Sequence, residues 1–97
     1  MPSYFITFEG PEGSGKSTQA RMLAEELGHT GLKAALTREP GGDPVSEDIR
    51  AILLDGLDHS VLDRTEVFLY LAARAQHTEK MIRPHLEDGF VVVCARY

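Results

Sequence analysis

Tryptophan is absent and cysteine occurs once, as Cys94, in 97 residues. A lone thiol makes no internal disulfide, which excludes a disulfide-stapled secreted scaffold and favours a reducing compartment. No apolar run approaches the ~20 residues that a membrane-spanning helix needs. The N-terminus, Met1-Pro2-Ser3-Tyr4, lacks a basic patch followed by an apolar core, so no signal peptide is expected. Positive charge is also in short supply. Lys plus Arg is 10 against 15 for Asp plus Glu, a net charge of −5. Binders of nucleic-acid polymers are usually basic, so that class is disfavoured. One small anion is still within reach, because a few converging arginines suffice to hold it. These absences predict a cytoplasmic protein with neither a membrane nor a nucleic-acid polymer as partner.

What is present is a pattern of short apolar strands alternating with helices. Tyr4 to Phe8 is aromatic and β-branched and reads as a buried strand. Gly10 to Gly15 is a loop. Lys16 to Leu27 carries Met22, Leu23 and Leu27 at helical spacing, with Gly28 as its stop. Lys33 to Thr37 is a second strand, and Glu39-Pro40-Gly41-Gly42 is a loop. Ser46 is the expected N-cap of a short helix with Ile49, Ile52 and Leu53 on one stripe. Asp55 to Ser60 is a polar connection. A long helical segment runs from Asp63 to Leu86, kinked or stopped by Pro84. Phe90 to Cys94 is apolar throughout, as expected of a strand buried in a parallel sheet. The order β-α-β-α-α-β predicts an α/β fold with right-handed crossovers. Residues 1–97 form one domain at most. A three-stranded parallel sheet with bare edges is unusual as a complete domain, so the chain reads as part of a longer one.

Gly10-Pro11-Glu12-Gly13-Ser14-Gly15-Lys16-Ser17 fits the phosphate-binding pattern G-x-x-x-x-G-K-[ST] at every fixed position. Glycines let backbone N–H groups turn inward around phosphate oxygens, which side chains would block. Lys16 brings a cation to the β- and γ-phosphates, and Ser17 Oγ is a Mg²⁺ ligand. The helix that starts here points its positive end at the same anion. The context is also right, with a strand before the loop and a helix after it.

P-loop enzymes usually hold the metal with a second group, an acid at the end of a neighbouring apolar strand. Phe90 to Cys94 is such a strand, and the residue that follows is Ala95. A methyl group binds no cation. Either Ala95 is an inactivating change, or the acid lies elsewhere and this strand is structural. Arg96 beside it either reaches a phosphate or is a solvated arginine.

Thr37 to Gly42 follows the second strand and belongs on the same rim as the P-loop, because ligands bind outside the carboxyl ends of strands in open α/β sheets. A plain turn is the other reading of that loop. Tyr70 and Arg74 lie four apart on the long helix and share a face. A ring and a guanidinium together suit a nucleobase, with Ala72, Ala73 and Ala75 small enough to let it approach. Such pairs also occur on ordinary helices.

Taken together, Phe8-Glu9-Gly10, Gly13 to Thr18, Thr37-Arg38-Glu39-Pro40-Gly41-Gly42, Tyr70-x-x-x-Arg74-Ala75-Gln76-His77 and the strand ending in Arg96-Tyr97 resemble the thymidylate kinase family, of the bacterial type. The resemblance implies the N-terminal portion of a P-loop, three-layer fold, a homodimer, and transfer of the ATP γ-phosphoryl group to dTMP to give dTDP. It implies that Gly10, Pro11, Glu12, Gly13, Ser14, Gly15, Lys16, Ser17 and Thr18 bind ATP with Mg²⁺ on Ser17. It makes Lys16, Arg96 and Glu12 the catalytic set. Glu12, Arg38, Pro40, Arg50, Tyr70, Arg74 and Arg96 would hold dTMP: Glu12 at the 3′-hydroxyl, Pro40 beside thymine, Arg50 and Arg96 on the phosphate, Tyr70 stacked on the base and Arg74 donating to it. The family has an aspartate where this chain has Ala95, and its mobile lid would follow Tyr97, so catalysis is expected to be impaired. The alternatives are a non-catalytic nucleotide-binding chain and another P-loop monophosphate kinase.

Other residues are expected to be structural. His29, His59, His77 and His85 show no metal-ligand spacing and read as surface or partly buried residues, with His77, a helical turn from Arg74, supporting the site from behind at most. Cys94 reads as strand core, Met22 and Met81 as packing, and Glu25 and Glu26 as a solvated helix face.

Overall fold

The computed structural model describes residues 3–11, 13–55 and 61–96. Its elements are β1 (Phe5–Glu9), α1 (Lys16–His29), β2 (Ala34–Glu39), α2 (Pro44–Asp55), α3 (Asp63–His77), a π-helical turn (Thr78–Ile82), α4 (Arg83–Glu87) and β3 (Val91–Arg96). The three strands form a parallel sheet in the order β1-β3-β2. The fold is therefore α/β with a partial P-loop topology, in the element order expected. The polar connection after Asp55 lies outside the described residues.

The apolar run of β3 becomes the centre of the sheet, with Val91 to Ala95 all buried. Strand alternation then sends its side chains to opposite faces. Val91, Val93 and Ala95 pack with Ala20, Leu23, Ala24 and Leu27 of α1 and with Ile6 and Phe8 of β1. The alternate residues, Cys94 and Arg96, pair in register with Thr37 and Glu39 of β2. They face His77 and Arg74 of α3. Two adjacent residues, Ala95 and Arg96, thus serve different sides of the sheet.

Several local expectations are corrected. β1 lies at an edge rather than buried, and Phe5 is 38% exposed. Gly28 does not stop α1, which runs to His29. An isolated helical glycine costs only about 1 kcal/mol; the reversal comes at Gly31, whose φ of 89° suits glycine. β2 continues to Glu39 and β3 to Arg96, beyond the strand ends read from hydrophobicity.

The N-cap of α2 is Asp43, not Ser46. Asp43 Oδ2 accepts the Ser46 N–H at 3.2 Å, Pro44 takes the first helical position, and Glu47 N–H donates to Asp43 O at 2.8 Å. Ser46 is fully buried instead, and its hydroxyl donates to Ala73 O at 2.9 Å, tying α2 to α3.

The long helical segment stays continuous but widens into a π turn just before Pro84. Proline has no N–H for the carbonyl of residue i−4 and its ring crowds that carbonyl, so a wider turn relieves both. Met22 is 61% exposed rather than packed. Val67, Phe68 and Leu71 of α3, with Leu62 before it, are all more than half exposed. Among the described residues, no helix is long and apolar enough to cross a membrane.

Candidate functional site

All three strands end at the same edge of the sheet, and the loops after β1 and β2 meet there. After β1, the amide of Gly10 donates to Arg96 O at 3.3 Å and fixes the start of the P-loop against β3. Gly15 caps α1 at φ 86°, a conformation that glycine adopts without strain. Lys16 is buried, with Nζ donating to Pro11 O at 3.2 Å, so its ammonium folds back over the loop. Gly13, Gly15, Lys16, Ser17 and Thr18 line a cavity of about 290 Å³. Glu12 lies outside the described residues.

A second cavity, of about 420 Å³, opens on the α1 face of the sheet. Its walls include Ser17, Arg21, Arg38, Glu47 and Ala95. The end of β3 therefore does stand beside the P-loop serine, and it offers a methyl group there. Ser17 supplies one hydroxyl oxygen and Ala95 supplies none. Mg²⁺ keeps several waters and takes few protein oxygens when phosphates share it. With the Glu47 carboxylate engaged by Arg38, Ser17 is the residue of this wall that could hold Mg²⁺ brought in on nucleotide phosphates.

Arg38 belongs to this second cavity, because β2 register pairs it with Ala95. It makes a two-pronged contact with Glu47, Nη2 to Oε1 at 2.6 Å and Nε to Oε2 at 3.2 Å. The Gly42 N–H adds a bond to Glu47 Oε2 at 2.8 Å. The Arg38 bonds first, and then the Gly42 amide, hold the Glu47 carboxyl below its usual range.

The third cavity, of about 240 Å³, lies on the α3 face. Glu39, Pro40, Tyr70, Leu71, Arg74 and Arg96 line it. Tyr70 and Arg74 share a helix face, as four-residue spacing requires. Pro40 follows a cis peptide bond. Arg50 joins this wall indirectly, with Nη1 donating to Pro40 O at 2.9 Å. Of the residues implied for the acceptor nucleotide, Pro40, Tyr70, Arg74 and Arg96 thus meet in one cavity. Arg50 touches its wall and Arg38 faces the other side.

The centre of this third site is a residue that sequence reading left unassigned. Glu39 is 5% exposed and meets three cationic or hydrogen-bonding partners. Oε1 lies 2.6 Å from Arg96 Nε and 3.4 Å from Arg74 Nε, while Oε2 lies 3.0 Å from His77 Nδ1. The Arg96 contact is close but lacks hydrogen-bond alignment. The guanidinium of Arg96 also rests over the Phe5 ring at 5.1 Å. His77 is not a surface residue: it is fully buried, with Nε2 at 2.7 Å from Thr37 Oγ1. The signal for it was the i, i+3 spacing from Arg74, which turns both residues toward β2.

Burial alone would raise the Glu39 pKa, but the His77 hydrogen bond and then the Arg96 and Arg74 charges outweigh it and hold the carboxyl below its ordinary 4.5. The stability this ionised group confers is fully present above pH 4.5 and is lost as pH falls below that value through the folded-state pKa. Glu39→Gln is therefore expected to melt well below the unchanged chain at pH 7, with the gap shrinking below pH 4. Thermal melts of both at a series of pH values check this. A gap that stays constant across pH would refute it.

Glu39, His77 and Cys94 place their ligand atoms within 4.8 Å of one another. Two guanidiniums on the same carboxylate repel a cation from this cluster. The thiol is also a poor ligand: burial, and then the Glu39 charge, push it up to about 12. The cluster is a hydrogen-bonded core, and Cys94 sits in it as packing. Cys94 is expected to resist iodoacetamide in the folded chain at pH 8 and to react at once in denaturant. Mass spectrometry of the alkylated chain checks it.

With this geometry described, known proteins give a consistent comparison. The family model for thymidylate kinase matches residues 8–97. The chain is 52% identical over 94 residues to a thymidylate kinase of Geobacter sulfurreducens, covering 97% of this chain and 44% of that protein. It is 53% identical over 97 residues to one of Ectopseudomonas mendocina, covering 100% of this chain and 46% of that protein. A crystal structure of thymidylate kinase from Ehrlichia chaffeensis superposes with a TM-score of 0.87 at 39% identity, covering 100% of this chain and 55% of that one. The chain spans somewhat less than half the length of these curated relatives.

Proposed function

Because the chain belongs to the thymidylate kinase family, we propose that it is the nucleotide-binding part of an enzyme that moves the ATP γ-phosphoryl group onto dTMP, giving dTDP and ADP. The observation that carries this reading is the pair of cavities at one sheet edge. One is built from the P-loop and the other from Pro40, Tyr70, Arg74 and Arg96. A donor and an acceptor nucleotide would meet there end to end.

Phosphoryl transfer asks for alignment and charge neutralisation more than for covalent chemistry. The P-loop amides and Lys16 would hold the donor phosphates. Ser17 would hold the Mg²⁺ carried on ATP, which would supply further charge neutralisation. On the other face, Tyr70 would stack on the base, with Pro40 at its edge and Arg74 donating to it. Arg96 would hold the acceptor phosphate, with Arg50 beside it. An oxygen of that phosphate would then attack the γ-phosphorus in line, and the bond to the β–γ bridging oxygen would break, leaving ADP. Glu12 would reach the sugar. Lys16 and Arg96 would offset the charge that both nucleotides bring.

The exposed stripe of Leu62, Val67, Phe68 and Leu71 supports a homodimer through α3. The lone buried thiol suits a reducing cytoplasm. The methyl group of Ala95 opposite Ser17 favours a second reading, a chain that binds nucleotides and transfers poorly.

Titration calorimetry of dTMP, with AMP and GMP as controls, tests the base pocket. Saturable binding selective for dTMP is the expected result. Equal binding of all three would point to another monophosphate kinase, and Mg²⁺-ATP binding alone would leave only the P-loop.

A further inference from the structure

We infer that Glu47 and Arg38 are positioning residues of the acceptor site: together they clasp the loop of residues 40–43, which carries Pro40, and neither touches the nucleotide. This rests on the acceptor reading above, and it gives Arg38 a supporting part where the family resemblance implies a contact with dTMP.

The loop needs holding. It joins β2 to α2 and supplies Pro40 to the 240 Å³ cavity and Gly42 to the 420 Å³ one. Gly41 and Gly42 have φ of 136° and 96°. Glycines reach such angles without strain, but they also leave a loop many alternatives. The choice among them is made from outside, by α2. Glu47 and Arg50 lie three apart on that helix and so share a face. Glu47 Oε2 accepts from the Gly42 N–H at 2.8 Å, and Arg50 Nη1 donates to Pro40 O at 2.9 Å. The loop is thus gripped at one donor and at one acceptor.

A glutamate alone could swing away from the loop, and Arg38 prevents it. Its Nη2 and Nε reach Oε1 and Oε2 at 2.6 and 3.2 Å, which fixes the plane of the carboxylate. So fixed, Oε2 faces the Gly42 amide. The carboxylate lies close against the loop, since a Cβ on Gly41 would overlap it. Arg38 is available for this because it pairs in register with Ala95 and leaves β2 on the face opposite Glu39. The cavity of Tyr70 and Arg74 does not have Arg38 in its lining. The pair is half exposed, at 50% and 39%, so it contributes little to overall stability. What it sets is the place of Pro40, the loop residue that would lie at the edge of the base.

Calorimetry of dTMP and Mg²⁺-ATP on the unchanged chain, Glu47→Ala, Arg38→Met and the double variant tests this, with AMP as a control on the unchanged chain. Each single substitution should weaken dTMP binding by roughly 5- to 10-fold, since affinity scales with the fraction of molecules whose loop is already formed. The double variant should bind no more weakly than either single one, because each already opens the same clasp. Glu47→Gln, which can still accept from Gly42, should recover part of the loss. Mg²⁺-ATP should lose far less, because no residue of this loop lines the P-loop cavity. An unaltered dTMP affinity in either single variant overturns the inference. So does a loss that multiplies in the double variant, which would mean that Arg38 meets the nucleotide itself. An equal loss for Mg²⁺-ATP also overturns it, as general damage.

If the variants do not fold, the Gly42 amide proton of the unchanged chain decides by NMR. Its shift should titrate below pH 4.5, where the Glu47 carboxyl takes up its proton, and should move again when dTMP binds. A proton that fails either test overturns the inference. If the unchanged chain binds dTMP no better than AMP, the acceptor reading is overturned and the inference with it. Selective dTMP binding that the substitutions leave unaltered overturns the inference alone.

Discussion

Ala95→Asp, in this chain extended to the length of its relatives, is expected to raise phosphoryl transfer by about 10²–10³, the usual size of one well-placed electrostatic contribution. Room exists for the carboxylate, since Ala95 lines the 420 Å³ cavity together with Ser17. Arg21 and Arg38 in the same wall would offset the cost of placing a charge at a position 6% exposed. The added oxygens would stand opposite Ser17, where a metal shared with the nucleotide phosphates needs them. Affinity for dTMP should not move, because β3 register sends residue 95 away from the acceptor cavity. Steady-state kinetics and dTMP calorimetry on the pair of proteins check both halves. No gain in turnover would reject the view that Ala95 disables an otherwise complete site.

Gly42→Ala is expected to be the most damaging single methyl group that can be added near the site. Gly42 has φ 96°, a conformation that side chains adopt only with strain. A Cβ there would overlap the His77 imidazole and the Thr37 hydroxyl. Neither neighbour can yield: His77 is fully buried and both are committed to one another. Overpacking and backbone strain together should cost about 3 kcal/mol, which for a domain of this size lowers the melting temperature by roughly 12–24 °C. Differential scanning calorimetry measures it directly. A drop of under about 4 °C, the shift for less than 1 kcal/mol, would mean that the loop relaxes more easily than its packing implies.

These outcomes also mark how far the sequence could be read. The P-loop and the buried β3 were legible because their patterns are local: a spacing of glycines and a run of valines. Tyr70 and Arg74 were legible as a pair because helix geometry converts spacing into direction. Element ends were less so. Asp43 rather than Ser46 caps α2, since both residue types suit the role and only the fold assigns it. Glu39 escaped, and His77 was placed no more closely than a turn from Arg74, because their contact is non-local. They are separated by 38 positions, and nothing in either neighbourhood says that they touch. Arg38 and Glu39 illustrate the same limit, since a loop sequence does not reveal which neighbour turns to which side.

The alternation along β3 makes adjacent letters of the sequence belong to separate compartments. A point substitution at Ala95 therefore acts first on the α1 face, and one at Arg96 on the α3 face. A single inserted residue between Val91 and Cys94 acts differently. It would transpose the two tracks, turning the arginine toward the P-loop and its small neighbour toward the cavity of Tyr70 and Arg74.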